Sequence, residues 1–470
     1  MRIHKCKKKR SEVGSILTAA LPSSKREPRA RIDAVLQINL SADELVGALL
    51  DLSKDESVFI LDSCGIGHLG SHLLIAGLRP VDVIQLSGVD KDATLSQIDD
   101  ALGRGLAAIF TVSYEFGVRL QPSRSNPRPS DEPDVFLVLF DTLILHDYDS
   151  GKTYITGDES RSSEIRDLIL ERETKVDSLS SSSVATSNFS RSEYVDAVNQ
   201  IQELIRRGDT YQTNLTQQIM CDLPEDQTPQ SIFASLRRDH PAPFSAFLCR
   251  PDSIVVSASP ERFFRVTRDG EIESSPIKGT RRRGSTPEED ALLRIELETS
   301  EKDQAENTMI VDLVRNDIGR VCEFGSVVVE KLCEIEDHPT LFHLVSTVRG
   351  KLRDDIRFTD ILAATFPCGS ITGAPKIRTM QIIDEIENLP RGLSMGAIGV
   401  YLSPGWNFEP IPIDTVFDIS VAIRTIVVQN GKAVFNVGGG VVIDSDPEKE
   451  YEESLLKAQA LLSALGATLE

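Results

Sequence analysis

The chain has 470 residues, 40% of them hydrophobic, with 30 Gly and 23 Pro, an ordinary globular composition with ample length for a core. A formal net charge of −21 argues against nucleic acid as a partner, and any small anionic ligand has to be met by local positive charge against the global sign. The seven cysteines are scattered without a C-x-x-C, which argues for reduced thiols in a cytosol and against a zinc site or disulfide framework; no apolar run approaches the ~20 residues of a membrane span.

Residues 1–31 open with a basic block, Lys5, Lys7, Lys8, Lys9 and Arg10. The segment is too weakly apolar for a signal peptide. An organellar transit peptide, a disordered tail and a misassigned start remain as alternatives. Val58 to Leu61 reads as a buried strand. Gly65-Ile66-Gly67-His68-Leu69-Gly70 follows and matches the dinucleotide fingerprint G-x-G-x-x-G, with an apolar helix-like run after it. The match is a poor one, because Arg79-Pro80 ends that run after barely two turns and no βαβ unit follows. Residues 121–134 are rich in proline and charge and predict a loop. Asp134 to Leu145 alternates as a strand, and Tyr154-Ile155 continues the sheet beyond a turn at Gly151. Ser178 to Ser190 is serine-rich and predicts a flexible connector. A helix is predicted from Ser192 to about Arg207, stopped by Gly208. Residues 210–220 and 244–267 are β-rich, helices recur near 301–316, 375–388 and 447–465, and strands dominate 395–443. The pattern is α+β: large antiparallel β-sheets in a sandwich with helices packed outside.

Within this pattern several residue groups can carry chemistry. Lys278 stands in Pro276-Ile277-Lys278-Gly279-Thr280, which places an amine at the end of a strand, where a partly desolvated lysine becomes a nucleophile. Ser300 caps a helix with Asp303 as capping-box partner, and Asp303 and Glu306 share a face one turn apart. Asp446 and Pro447 start another helix, on which Glu450 and Glu453 share a face. Spacing alone favours a helix-dipole role for these carboxylates. Arg424 follows a strand-like alternation from Phe417, and its planar fork suits a carboxylate, or equally a structural ion pair. Gly438-Gly439-Gly440 permits close approach of backbone to an anion. Gly369 to Lys376 fails the Walker pattern, since Ala374-Pro375 intervenes and Pro375 suits a helix start. A histidine such as His343 on an apolar strand reads more readily as a core residue, and Glu261 as a partner of Arg262.

The ordered set Ser259-Pro260-Glu261-Arg262-Phe263, Pro276 to Thr280, Ala305-Glu306-Asn307, Val311 to Asp317, His343 to Ser346, Gly369 to Lys376, Ile423-Arg424-Thr425, Gly438 to Gly440 and Glu450 to Glu453 resembles the chorismate-utilising enzymes. These are the large subunits of anthranilate, aminodeoxychorismate and isochorismate synthases. The resemblance is strong over roughly 190–465. It implies one intertwined unit of residues 32–176 and 190–470, the latter binding chorismate, rather than the three domains that length suggests. It implies Mg2+ held by Glu306 and Glu453, with Asp303 and Glu450 as outer or additional carboxylates. Lys278, Glu261 and His343 would be catalytic. Gly279, Thr280, Thr372, Arg424 and Gly438 to Gly440 would bind substrate, as would Tyr401, although Val400 stands as an insertion where relatives place tyrosine directly after glycine. Anthranilate synthases usually carry alanine where Lys278 stands, so the resemblance points to C4 amination of chorismate. Anthranilate synthesis is the rival within the class, and a non-catalytic tryptophan-binding regulator the rival outside it. Leu61-Asp62-Ser63 and His240 to Phe244 resemble segments lining a tryptophan pocket in relatives. No Gly-x-Cys-x-Gly elbow occurs, so ammonia is expected from a separate glutamine amidotransferase subunit.

Overall fold

A computed structural model describes residues 34–67, 72–122, 128–174, 182–337 and 341–470. The basic segment 1–31 and residues 68–71 of the glycine-rich stretch lie outside the described residues. The described strands form two sheets, of thirteen and ten strands. The larger sheet interleaves distant parts of the chain. Val58–Asp62 pairs with Phe244–Cys249, and Gln212–Asp222 pairs with Lys432–Val441. In the smaller sheet Ala107–Val112 lies beside Ala397–Tyr401.

The sheets stack as a sandwich because their strands are apolar on both faces. In Ala107–Val112, Ala107 and Ile109 enter a core shared with Phe59, Ile75, Leu145 and Val255 of the larger sheet. The alternate residues Ala108, Phe110 and Val112 enter a second core, which faces the helices Lys91–Leu102, Glu301–Gly319 and Phe358–Thr365. The other face of the larger sheet buries Leu49, Ile165, Phe233 and Leu461 of four further helices. Burial on both faces explains why such strands read as continuous apolar runs. Among the described residues no helix is long and apolar enough to cross a membrane.

Three expectations fail here for physical reasons. The run after the glycine-rich stretch is a strand, Leu73–Leu78, paired antiparallel with Val58–Asp62. A short apolar run has no period that separates a buried strand from a helix. Ser183–Ser187, inside the expected connector, is also a strand, held between Ile219–Cys221 and Ala467–Leu469. Its backbone pairing on both sides outweighs its serine composition. Ser300 does cap its helix by accepting from the Asp303 N–H, but no capping box forms, because the Asp303 carboxylate turns to Arg281 Nη2 at 3.1 Å.

The helices Glu301–Gly319 and Lys376–Ile386 are tied by an ion pair between Asp317 and Lys376, with side chains only 9% and 7% exposed. Lys376 also donates to Thr365 O at 2.6 Å. The lysine that ends the Gly369–Lys376 segment is thus committed to structure. Lys376→Met leaves Asp317 buried without its counter-charge and is expected to cost about 3–5 kcal/mol. A shift in denaturant midpoint with unchanged slope measures it; a near-wild-type midpoint sinks the assignment.

Candidate active site

The site is assembled from both sheets and the helices Glu301–Gly319 and Pro447–Ala464. Lys278 sits near the start, not the end, of the strand Ile277–Arg282, where pairing with Leu341–Lys351 slips between Ile277 and Thr280. Gly279 makes that slip, with φ of +80°. A Cβ there would meet Leu297 Cδ1 at 2.8 Å and Asp303 Cβ at 3.0 Å, so the strand passes directly over the helix start. The irregularity turns the half-buried Lys278 inward, with its Nζ 3.4 Å from Ser370 O.

Lys278 lies among carboxylates. Its charge acts on Glu261, Glu306 and Glu453. Glu261 is buried, and burial pushes its carboxyl up, opposed by Lys278 and by a hydrogen bond from Ser370. The expected structural pairing of Glu261 with Arg262 does not occur, since Arg262 Nε and Nη2 are 2.8 and 2.9 Å from the Asp418 carboxylate. Burial also raises Glu306 and Glu450, and Asp303 and Glu450 add repulsion at Glu306. Ser445 donates to Glu450 at 2.7 Å. Burial pushes Glu453 up as well, but its ion pair with Lys457, 2.8 Å away, holds it below the usual carboxylate range. Glu306, Glu450 and Glu453 thus approach from two helices, yet their oxygens do not close into one sphere within 4.8 Å.

Gly438 to Gly440 lie in the strand Lys432–Val441. A Cβ on Gly439 would be 3.2 Å from Glu450 Oε2 and 3.9 Å from Glu453 Oε1, so backbone and carboxylates share one space. A Cβ on Gly440 would strike Gln212 Nε2 at 2.2 Å. Beside it the side chains of Gln212, Thr213 and Asn214 are buried, each with a polar atom that has no partner among the described residues. Thr280 Oγ1 and His343 Nδ1 are 2.9 Å apart on neighbouring strands. Thr372 spends its hydroxyl on Cys368 O at 2.9 Å, which shapes the turn rather than facing outward.

Arg424 is not part of a strand: Thr415–Val421 has ended, and Arg424 turns the chain with φ of +49°. Its guanidinium makes no hydrogen bond or ion pair with any described residue, and desolvation lowers its pKa. Tyr401 belongs elsewhere. Its ring packs 4.8 Å from Phe417 within the apolar core and its hydroxyl reaches Ser403, so no contact of it among the described residues joins the Lys278 group. Two participants were not legible beforehand, Ser370 and Lys457. Lys457 stands four residues after Glu453 on one helix face, a spacing that signals an ion pair.

A separate cavity of about 100 Å³ lies between the sheets, lined by Asp62, Ser63, Pro243, Phe244, Arg262 and Asp418 among others. The expected tryptophan-pocket segments do converge on it.

An amine, a buried acid and a carboxylate cluster thus act on one another, while the Arg424 guanidinium is left uncommitted among the described residues. A family model described as chorismate binding enzyme matches residues 66–463. The chain belongs to the chorismate-binding enzymes. It is 41% identical over 351 residues to aminodeoxychorismate synthase of Streptomyces griseus, covering 72% of this chain but 47% of that protein. The chain therefore spans about half the length of that relative. It is 38% identical over 360 residues to aminodeoxychorismate synthase component 1 of Klebsiella aerogenes, covering 76% of this chain and 77% of that one. The solved anthranilate synthase component I of Streptococcus pneumoniae superposes with a TM-score of 0.71 at 28% identity, over 84% of this chain and 93% of that one.

Proposed function

We propose that this enzyme aminates chorismate at C4 with ammonia, giving 4-amino-4-deoxychorismate for p-aminobenzoate and folate synthesis. The observation that carries the reading is Lys278, an amine held beside a buried carboxyl and facing the metal-type carboxylates. The neutral Lys278 amine attacks C2 while the C4 hydroxyl leaves as water on a proton from Glu261. Ammonia then adds at C4, the C2–N bond to Lys278 breaks, and the Glu261 carboxylate takes the proton that ammonia sheds. Arg424 and the Gly438–Gly440 backbone would hold the enolpyruvyl carboxylate, and His343 with Thr280 would face the leaving hydroxyl.

The donor set of Glu306, Glu453 and Glu450 is all hard oxygen, without a cysteine or histidine, and fits Mg2+. Glu306 and Glu453 would hold the ion and Glu450 would flank it; Asp303 is engaged by Arg281. When bound, the ion supplies positive charge for the ring carboxylate. The open spacing of these oxygens suits a site completed by the substrate's own carboxylate. Glu453→Gln is expected to raise the Mg2+ requirement and the chorismate KM together, by about 10–100-fold. Titrating activity against Mg2+ at several chorismate concentrations checks this, and unchanged metal dependence removes Glu453 from the set.

Ammonia would come from a separate glutaminase subunit in a reducing compartment such as the cytosol, and the six cysteines among the described residues are free. The test is incubation of the purified chain with chorismate and Mg2+, with either ammonium chloride at alkaline pH or glutamine, and identification of the product by mass. Amination is expected with ammonium and not with glutamine. Anthranilate as the product would overturn the reading in favour of C2 chemistry, and robust glutamine use would show an amidotransferase site in this chain.

A further inference from the structure

Arg391 joins two segments of the site, although its own side chain is only 1% exposed. Its Nη1 donates to Ile371 O at 2.8 Å and its Nη2 to Asn214 O at 2.7 Å. Ile371 closes the short 3₁₀ turn Gly369–Ile371, in which the Ser370 carbonyl accepts from Lys278 Nζ at 3.4 Å. Asn214 stands opposite Gly440 where Gln212–Asp222 pairs with Lys432–Val441. Another edge of the guanidinium is held by the buried Glu387, Nε to Oε2 at 2.8 Å and Nη2 to Oε1 at 2.7 Å. Glu387 Oε1 also accepts from Thr216 N at 2.7 Å and Thr216 Oγ1 at 3.0 Å, so the acid is fixed to the strand that carries Asn214. The guanidinium lies over the Tyr114 ring, 4.6 Å from its centroid. Glu115, next along the same helix, accepts from the backbone N–H of Arg391 at 2.8 Å and of Gly392 at 3.0 Å.

We infer that Arg391 is a positioning residue for the reaction, locking the turn that carries the carbonyl acceptor of Lys278 to the strand opposite Gly440. This rests on the nucleophilic role given to Lys278 above. Stability alone gives little reason for a guanidinium here, because a buried ion pair is often no better than a well-packed apolar pair of the same volume. What the guanidinium supplies is direction. A planar fork grips an acid along one edge while its other N–H groups point along fixed lines, which an ammonium does not do. Both carbonyls on those lines belong to segments of the site. Asn214 N already donates to Thr372 O at 2.8 Å, one residue beyond the turn. A single tie leaves a turn free to pivot. The second tie, from Arg391 to Ile371 O, removes the pivot and fixes the direction of the neighbouring Ser370 carbonyl. Attack of Lys278 on C2 as the C4 hydroxyl leaves is sensitive to that direction, since a misplacement of about 1 Å costs on the order of 100-fold in rate.

The experiment compares wild type, Arg391→Lys and Glu115→Gln with chorismate, Mg2+ and ammonia, at a temperature where circular dichroism shows each protein folded. Arg391→Lys keeps a positive charge beside Glu387, but one ammonium does not also span both carbonyls. It is expected to lower kcat and the rate of adduct formation at Lys278 together, by about 10–100-fold. Chorismate KM should stay within about threefold, because the pairing with Gln212–Asp222 still holds Gly440 in place. Glu115→Gln leaves the pair of Arg391 and Glu387 intact and turns an amide N–H toward one of the backbone N–H groups of residues 391 and 392, so it loosens that loop alone. It should lower the same two rates by about 3–10-fold, and it carries the test if the lysine variant folds poorly. Adduct per mole of protein at long times counts competent sites and separates slow protein from misfolded protein. An Arg391 that serves stability alone would lower the melting temperature and leave the rate per competent site unchanged. That result in either folded variant overturns the positioning role. Absence of a Lys278 adduct in wild type overturns the underlying reading instead.

Discussion

Lys278→Met is expected to abolish covalent capture of chorismate and to slow C4 amination by about 10³-fold or more, the scale on which loss of a nucleophile acts. The fold should be unaffected. Lys278 is only half-buried, and its one hydrogen bond among the described residues is the long 3.4 Å contact to Ser370 O. Removing its charge takes favourable Coulomb energy from Glu261, Glu306 and Glu453, whose carboxyls should all titrate higher. A Mg2+ ion held as proposed would lose a competing cation, so loss of metal is not expected to be the reason for inactivity. Intact-protein mass spectrometry of quenched wild type should show an adduct that peptide mapping assigns to Lys278. An adduct on another residue, or full amination by the methionine variant, removes the nucleophile.

Much of this site was legible because its chemistry-bearing residues sit in short, recognisable segments. Glu261, Lys278, Glu306 and Glu453 lie far apart in sequence, and the fold brings them close enough for Lys278 to act on all three carboxylates. What the sequence concealed depends on backbone. Ser370 meets Lys278 through its carbonyl, which no residue type encodes. The half-turn at Arg424 interrupts a hydrophobic alternation that continues past it, so the residue read as part of a strand. Tyr401 matches a binding tyrosine by type, but the strand Ala397–Tyr401 sends its ring into the core against Phe417. Asp303 and Lys376 have the right chemistry for a ligand site, and each is taken by an ion pair with a distant partner. Residue type and spacing suggest what a side chain can do; a partly buried counter-charge from another element withdraws Asp303 and Lys376, whereas Glu453 is paired with Lys457 of its own helix and both side chains stay exposed.

Arg424 shows the converse, a charge without a structural use. A guanidinium that loses water without gaining a hydrogen bond lowers stability, and the left-handed backbone at φ of +49° adds strain for a side chain with a Cβ. An anion paired with the guanidinium would offset the first of these costs. Arg424→Met keeps the aliphatic stem and deletes the charge. The fold is therefore expected to hold or gain stability, while chorismate binding falls by roughly 100-fold, about 3 kcal/mol for a lost charge-assisted pair. Arg424→Lys should recover little of this, because one ammonium does not replace a two-pronged contact. Paired measurements of melting temperature and KM separate this from a packing role. If Arg424→Met lowers the melting temperature by several degrees and leaves KM unchanged, the residue is structural and the carboxylate site lies elsewhere. If KM rises while the melting temperature does not fall, the unsatisfied cation is the binding determinant, and the orphaned polar groups of Gln212, Thr213 and Asn214 beside Gly440 become the next positions to test for contact with the same ligand.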